Sequence, residues 1–89
     1  MINNELTINK KKIIDLFKKK KFSKILKILT KIRDYFKDQP DIAKIIIMSD
    51  LNTKNFIKAE LFLRSIITIN NTSEFNYILG NTLKAQDKN

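Results

Sequence analysis

Residues 22–32 read FSKILKILTKI, and residues 56–66 read FIKAELFLRSI. Set one above the other, they agree in kind at nearly every apolar position. Phe22 meets Phe56, Lys24 meets Lys58, Ile25 meets Ala59, Ile28 meets Phe62, Leu29 meets Leu63, and Ile32 meets Ile66. Within each stretch the apolar residues recur three and four apart, the spacing of one face of an α-helix. The agreement extends backwards at the same 34-residue offset. Ile8 meets Ile42, Lys10 meets Lys44, Ile13 meets Ile47, Ile14 meets Met48, Phe17 meets Leu51, and Lys20 meets Lys54. A fixed period of this length marks a supersecondary unit that buries its apolar face only against another copy of itself.

Outward from this pair, the chain divides into five helical segments. The first is expected from about Thr7 to Lys19, with Ile13, Ile14 and Phe17 on one side. A turn at Lys20–Ser23 follows, and Ser23 is suited to cap the next helix with its hydroxyl. That second helix is expected to run through Ile25, Ile28, Leu29, Ile32 and Phe36. Pro40 suits the first position of the third helix, where its missing N–H has no intrahelical partner. Asp41 then lies where the helix dipole favours a negative charge. Ile45–Ile47 alone has the composition of a strand, but its helical neighbours and the lack of a partner strand make it helix. Asn52-Thr53-Lys54-Asn55 has turn chemistry. The fourth helix is expected over Phe56–Asn70, with Phe56, Ala59, Phe62, Leu63, Ile66 and Ile67 inward. Asn71 and Glu74, three apart, have capping-box spacing ahead of a fifth helix carrying Phe75, Ile78, Leu79 and Leu83.

Composition agrees with an all-α chain. One glycine and one proline in 89 residues are too few for a sheet that turns every 8–12 residues or so. There is no cysteine and no histidine, so disulfides, ordinary zinc sites and histidine-activated nucleophiles are excluded. Nine acids are scattered without an inward pair suited to general acid–base work, Asp15 and Glu60 reading as exposed positions, and no glycine-rich phosphate loop is present. The chain is therefore expected to be non-catalytic and to need no cofactor. Its polar N-terminus lacks a signal core, and no apolar run approaches the roughly 18–20 residues of a membrane span. The expected location is cytoplasmic.

Charge is uneven. Of 18 Lys and Arg residues, 12 lie in residues 1–40 against four acids, Glu5, Asp15, Asp34 and Asp38. Lys10–Lys12 and the run Lys18–Lys21 supply much of the excess. A nucleic-acid or anionic-surface partner is one reading. Against it, Arg33 and Arg64 are the only arginines, and no aromatic residues interleave with the lysines. A solvated turn, with lysine enriched by AT-rich codons, is the plainer reading.

The residues at fixed slots resemble the tetratricopeptide repeat family. Its pattern has a Leu-Gly pair in the first helix of a unit, and in the second an Ala with a large apolar residue four positions on. Leu79-Gly80 matches the pair. Ala59 with Leu63, preceded by Phe56, matches the second helix, and Ile25 with Leu29, preceded by Phe22, is a weaker copy. Small residues at these slots would let paired helices approach closely. The sequence departs from the family in having no other glycine, in placing Pro40 about three residues late, and in holding Asn71 at a proline slot. The step into the third unit is 32 or 33 residues.

The resemblance implies a right-handed α-solenoid of antiparallel helix-turn-helix repeats in a single domain, 1–89. Its parts would be a first repeat at about 6–39, a second at about 40–72, and a terminal single helix at about 73–87. Lys88-Asn89 would fall at the turn before a missing second helix, so the lone third-unit helix would cap the stack or, alternatively, the chain would be the front of a longer repeat array or of a transferase-like enzyme. A five-helix bundle without repeats is the alternative fold. The implied function is protein–protein interaction, with a peptide or helix of a partner held in the groove lined by first helices. Carried over by position, the groove residues are Lys10, Ile14, Lys44, Met48, Tyr77, Asn81 and Lys84. Tyr77 stands where a carboxylate-clamping lysine would be needed. A positive rim would favour acidic partners, and a two-unit array with open apolar edges could self-associate.

Overall fold

A computed structural model describes residues 2–87, with side chains described from residue 8 onward. Five α-helices form: α1 (Ile2–Lys18), α2 (Phe22–Leu29), α3 (Pro40–Asn52), α4 (Phe56–Ile69) and α5 (Ser73–Ala85). No strand is present among the described residues. Ile45–Ile47 lies within α3, as its neighbours required.

Each helix packs on its neighbour in sequence, and α1 packs on α3 as well. The core between them holds Ile13 of α1, Ile25 and Leu29 of α2, Ile42, Ala43, Ile46 and Ile47 of α3, and Phe62, Leu63 and Ile66 of α4, with Phe75 from α5. Burying side chains of this size contributes roughly 1.5–3 kcal/mol each. Ile13 and Ile47 are buried alike, as are Ile25 and Ala59, and Leu29 and Leu63, each pair 34 apart. Ile8 breaks the parallel, exposed where Ile42 is buried.

The backbone repeats too. At the end of α1, the Lys21 N–H donates to the Leu16 carbonyl (2.9 Å) and the Lys20 N–H to that of Phe17 (3.0 Å). At the end of α3, the Asn55 N–H donates to the Asp50 carbonyl (2.8 Å) and the Lys54 N–H to that of Leu51 (3.1 Å). Both corners are Schellman motifs, in which a left-handed residue closes the helix and satisfies its last carbonyls. That residue is Lys20 at φ 57° in one and Lys54 at φ 62° in the other. The residues that follow match as well, Lys21 at φ −93°, ψ 63° and Asn55 at φ −88°, ψ 62°. Asp87, 33 residues after Lys54, is left-handed at the end of α5 (φ 57°), and its N–H donates to the Lys84 carbonyl.

Several boundaries differ from the expectation. The first helix begins at Ile2 rather than near Thr7. The second does not run to Phe36. It ends at Leu29, turns at Thr30–Ile32, and resumes as a short 3₁₀ turn, Arg33–Phe36. The Thr30 hydroxyl donates to the Leu26 carbonyl, a local bond that competes with continued helix. The break still delivers Phe36 to the core, so the apolar spacing could not reveal it. Ser23 lies inside α2 and caps nothing, since Lys21 precedes the helix without a side-chain cap bond. At α5 the cap is Thr72, one residue later than Asn71, its hydroxyl accepting from the Phe75 N–H at 3.2 Å. Asn71 instead accepts from the Asn76 side chain, and Glu74 reaches another helix. Glu60 is half-buried rather than exposed, bonded by Gln86 and Arg64.

The two small residues have different surroundings. Ala59 is fully buried, as a close helix approach requires. Gly80 is exposed, and a Cβ there would meet nothing within 4 Å. No close approach is made at Gly80, while Leu79 packs against the core. Lys88 and Asn89, read as the start of a further turn, lie outside the described residues.

Candidate functional site

Two surfaces stand out, one anticipated and one not. The first is carried by α1, α3 and α5. Lys10 Nζ on α1 donates to Gln39 Oε1 (3.1 Å) and stands 4.0 Å from Asp41, the second residue of α3. Lys44 on α3 is 2.6 Å from Glu74, the second residue of α5. Lys10 and Lys44 are 34 apart, and Asp41 and Glu74 are 33 apart. The same rung therefore joins α1 to α3 and α3 to α5, and each acid also sits in a first turn, where the helix dipole favours it. All four side chains are more than a third exposed, so each rung contributes little stability, within about 1 kcal/mol.

The remaining residues of this surface divide by burial. Ile14 is half-buried against the core, and Met48 is half-buried one turn beyond Lys44. Tyr77 is 72% exposed, and Asn81 and Lys84 follow it at four and seven residues along α5, also exposed. The structure thus engages Lys10 and Lys44 in helix-to-helix pairs, and leaves Tyr77, Asn81 and Lys84 available on one stripe of α5.

The second surface lies where α2, the 3₁₀ turn and α4 meet. An open cavity of about 400 Å³ is walled by Leu26, Leu61 and Phe62, with Arg33, Lys37 and Lys58 among its polar lining. At its floor Asp50 of α3 is fully buried in the chain's interior. Arg33 grips it with both terminal nitrogens, Nη2 to Oδ2 at 2.5 Å and Nη1 to Oδ1 at 3.4 Å. The guanidinium also lies over the Phe62 ring, 4.9 Å from its centre, a favourable cation–π placement. Burial pushes the Asp50 carboxyl above the usual carboxylate range, while the Arg33 hydrogen bond and charge, with a smaller pull from Lys58, draw it back. No buried side-chain nitrogen or oxygen lacks a partner among the described residues. Arg33 opens the 3₁₀ turn that follows the break in the second helix.

This pair was not anticipated. The available signal was faint: one of only two arginines, and one acid inside the apolar run of α3. They are 17 residues apart, and periodicity says nothing about contacts at that separation.

No group of three or more His, Cys, Asp or Glu gathers in a metal-binding arrangement among the described residues. Nor is any helix there long and apolar enough to cross a membrane. Comparison with protein-family models, with curated proteins and with solved structures finds no match to this chain.

Proposed function

We propose that this chain is a tetratricopeptide-like helical-hairpin module that binds a segment of a partner protein along the surface of α1, α3 and α5. The observation that carries the reading is the repeated rung, Lys10 to Asp41 and Lys44 to Glu74, which ties α1 to α3 and α3 to α5 at equivalent positions. Together with the two matching corners at Lys20 and Lys54, it supports a right-handed stack of like hairpins. A surface of this kind presents a side-chain stripe suited to a peptide or helix. Here Ile14 and Met48 offer partly buried apolar contacts, Tyr77 offers an exposed amphipathic ring, and Asn81 and Lys84 offer polar ones. The rung lysines have their own carboxylates, so the preference for acidic partners falls mainly to Lys84. Binding of this kind uses no cofactor and no chemistry on the partner, and the expected setting is the cytoplasm.

The test is a capture experiment from native lysate comparing the wild type with Met48→Glu/Tyr77→Ala, both first shown folded by circular dichroism. The reading predicts prey retained by the wild type and lost by the variant. Equal retention by both discards the surface.

A further inference from the structure

The two like corners gather lysines from distant parts of the chain at one end of the molecule. Lys20, Lys21 and Lys24 of the first corner line one cleft together with Asn52 and Thr53 of the second. Lys54 and Lys58 of the second corner line the adjoining cleft with Gln86, at the end of α5. With Lys18, this end presents six exposed lysines. None of the six is ion-paired with a carboxylate among the described residues, whereas Lys19 beside them is held by Asp15 at 3.1 Å.

The identity of the left-handed residues adds an independent argument. A position closing a Schellman corner favours glycine, then asparagine, over any residue with a longer side chain. Lysine stands there twice, at Lys20 and Lys54. Codon bias does not account for this, because AT-rich codons supply asparagine as readily, and Asn52 and Asn55 flank the second corner. Positive charge stands at both positions against the backbone's preference.

We propose that this end of the molecule docks on the surface of an anionic lipid bilayer. Lysine suits that role, since a headgroup layer attracts point charges without demanding a fixed geometry. Ile57, 66% exposed, stands beside Lys54 and Lys58 and supplies an apolar tip for the headgroup boundary. Nucleic acid fits less well. Arg33 and Arg64 are each already held by a carboxylate, Asp50 and Glu60. The aromatics lining the two clefts, Phe22 and Phe56, are half-buried, with Phe22 packed on the core and edge-on to Phe17, and the exposed Tyr35 and Tyr77 lie on other elements.

The decisive variant is Lys20→Asn/Lys54→Asn. It removes two charges while placing at both corners a residue that prefers the left-handed conformation, so its thermal midpoint should not fall. Binding is read by co-sedimentation with vesicles of phosphatidylcholine containing about 30% phosphatidylglycerol, beside vesicles of phosphatidylcholine alone. At about fivefold per lysine, the double variant should bind the anionic vesicles roughly 25-fold more weakly. Lys20→Arg/Lys54→Arg should bind like the wild type, and neither should sediment with neutral vesicles. The proposal is overturned if the wild type ignores anionic vesicles, if it binds neutral ones equally, or if the asparagine variant binds unchanged. It is also overturned in favour of nucleic acid if a duplex oligonucleotide at equal phosphate concentration strips the protein from the vesicles.

Discussion

Replacing Arg33 with methionine should cost this protein a large share of its stability, and the cost should depend on pH. Arg33 is the hydrogen-bonding partner of a carboxylate with no solvent exposure. Removing one member of a buried ion pair leaves the other charged and unpaired, which costs about 3–5 kcal/mol. Loss of the stack on Phe62 adds about 0.5–1 kcal/mol, partly offset by the apolar methionine. A net deficit of about 3–4 kcal/mol at pH 7 is expected, against a total of roughly 4–13 kcal/mol for a chain of this length.

The pH dependence follows from the direction of the Asp50 shift. Burial raises its folded-state pKa above the unfolded value, and Arg33 draws it back. A raised pKa means that the folded chain holds the proton more tightly. The resulting stabilisation is complete below the ordinary carboxylate pKa and is lost as pH rises through the folded value. Without Arg33 the folded pKa climbs further, so more stability is lost between about pH 4 and pH 7. The deficit relative to the wild type should therefore shrink from pH 7 towards pH 4, as the carboxyl takes up its proton. Urea unfolding followed by circular dichroism at the two pH values measures it. The double variant Arg33→Met/Asp50→Leu should recover to within about 1 kcal/mol of the wild type, because no charge is left stranded. A single-variant deficit below about 1 kcal/mol at pH 7, or one independent of pH, would refute the buried pair.

Four further perturbations have defined outcomes. Leu63→Ala, at a fully buried position, should cost about 2–5 kcal/mol through lost burial and a cavity, read by denaturant melt. Gly80→Ala should raise stability by about 1 kcal/mol, since the position is helical and a Cβ meets nothing within 4 Å; a loss would show that something covers this face. Thr72→Ala should cost about 1 kcal/mol by removing the cap on α5, whereas Asn71→Ala should cost clearly less in the same melt. Glu74→Gln should change stability by less than about 1 kcal/mol, as the rung it breaks is half-exposed, and the small effect should fade in high salt.

The helices that bury most were the most legible in the sequence. Pro40, the apolar positions of α3 and α4, and the 34-residue offset located both hairpin corners, because burial and turn chemistry act through local spacing. The break after Leu29 was hidden, since Ile32 and Phe36 keep helical spacing whether or not the chain turns at Thr30. Thr72 and Asn71 are adjacent cap formers, and only the three-dimensional path chooses between them. Lys10 and Lys44 were recognisable as equivalents. Their use as rungs was not, because Asp41 and Glu74 already had satisfactory local explanations in the helix dipole and the capping box. The Arg33–Asp50 pair was least legible of all, joining an irregular turn to a helix face through a contact that no periodicity records.

The central claim is that two copies of one helical hairpin turn through the same corner. Backbone chemical shifts of the labelled protein in solution test this most directly. Left-handed values at both Lys20 and Lys54, with unbroken helical values from residue 40 to residue 52, are predicted. Extended values at Ile45–Ile47, or a left-handed corner at one lysine without the other, would contradict it.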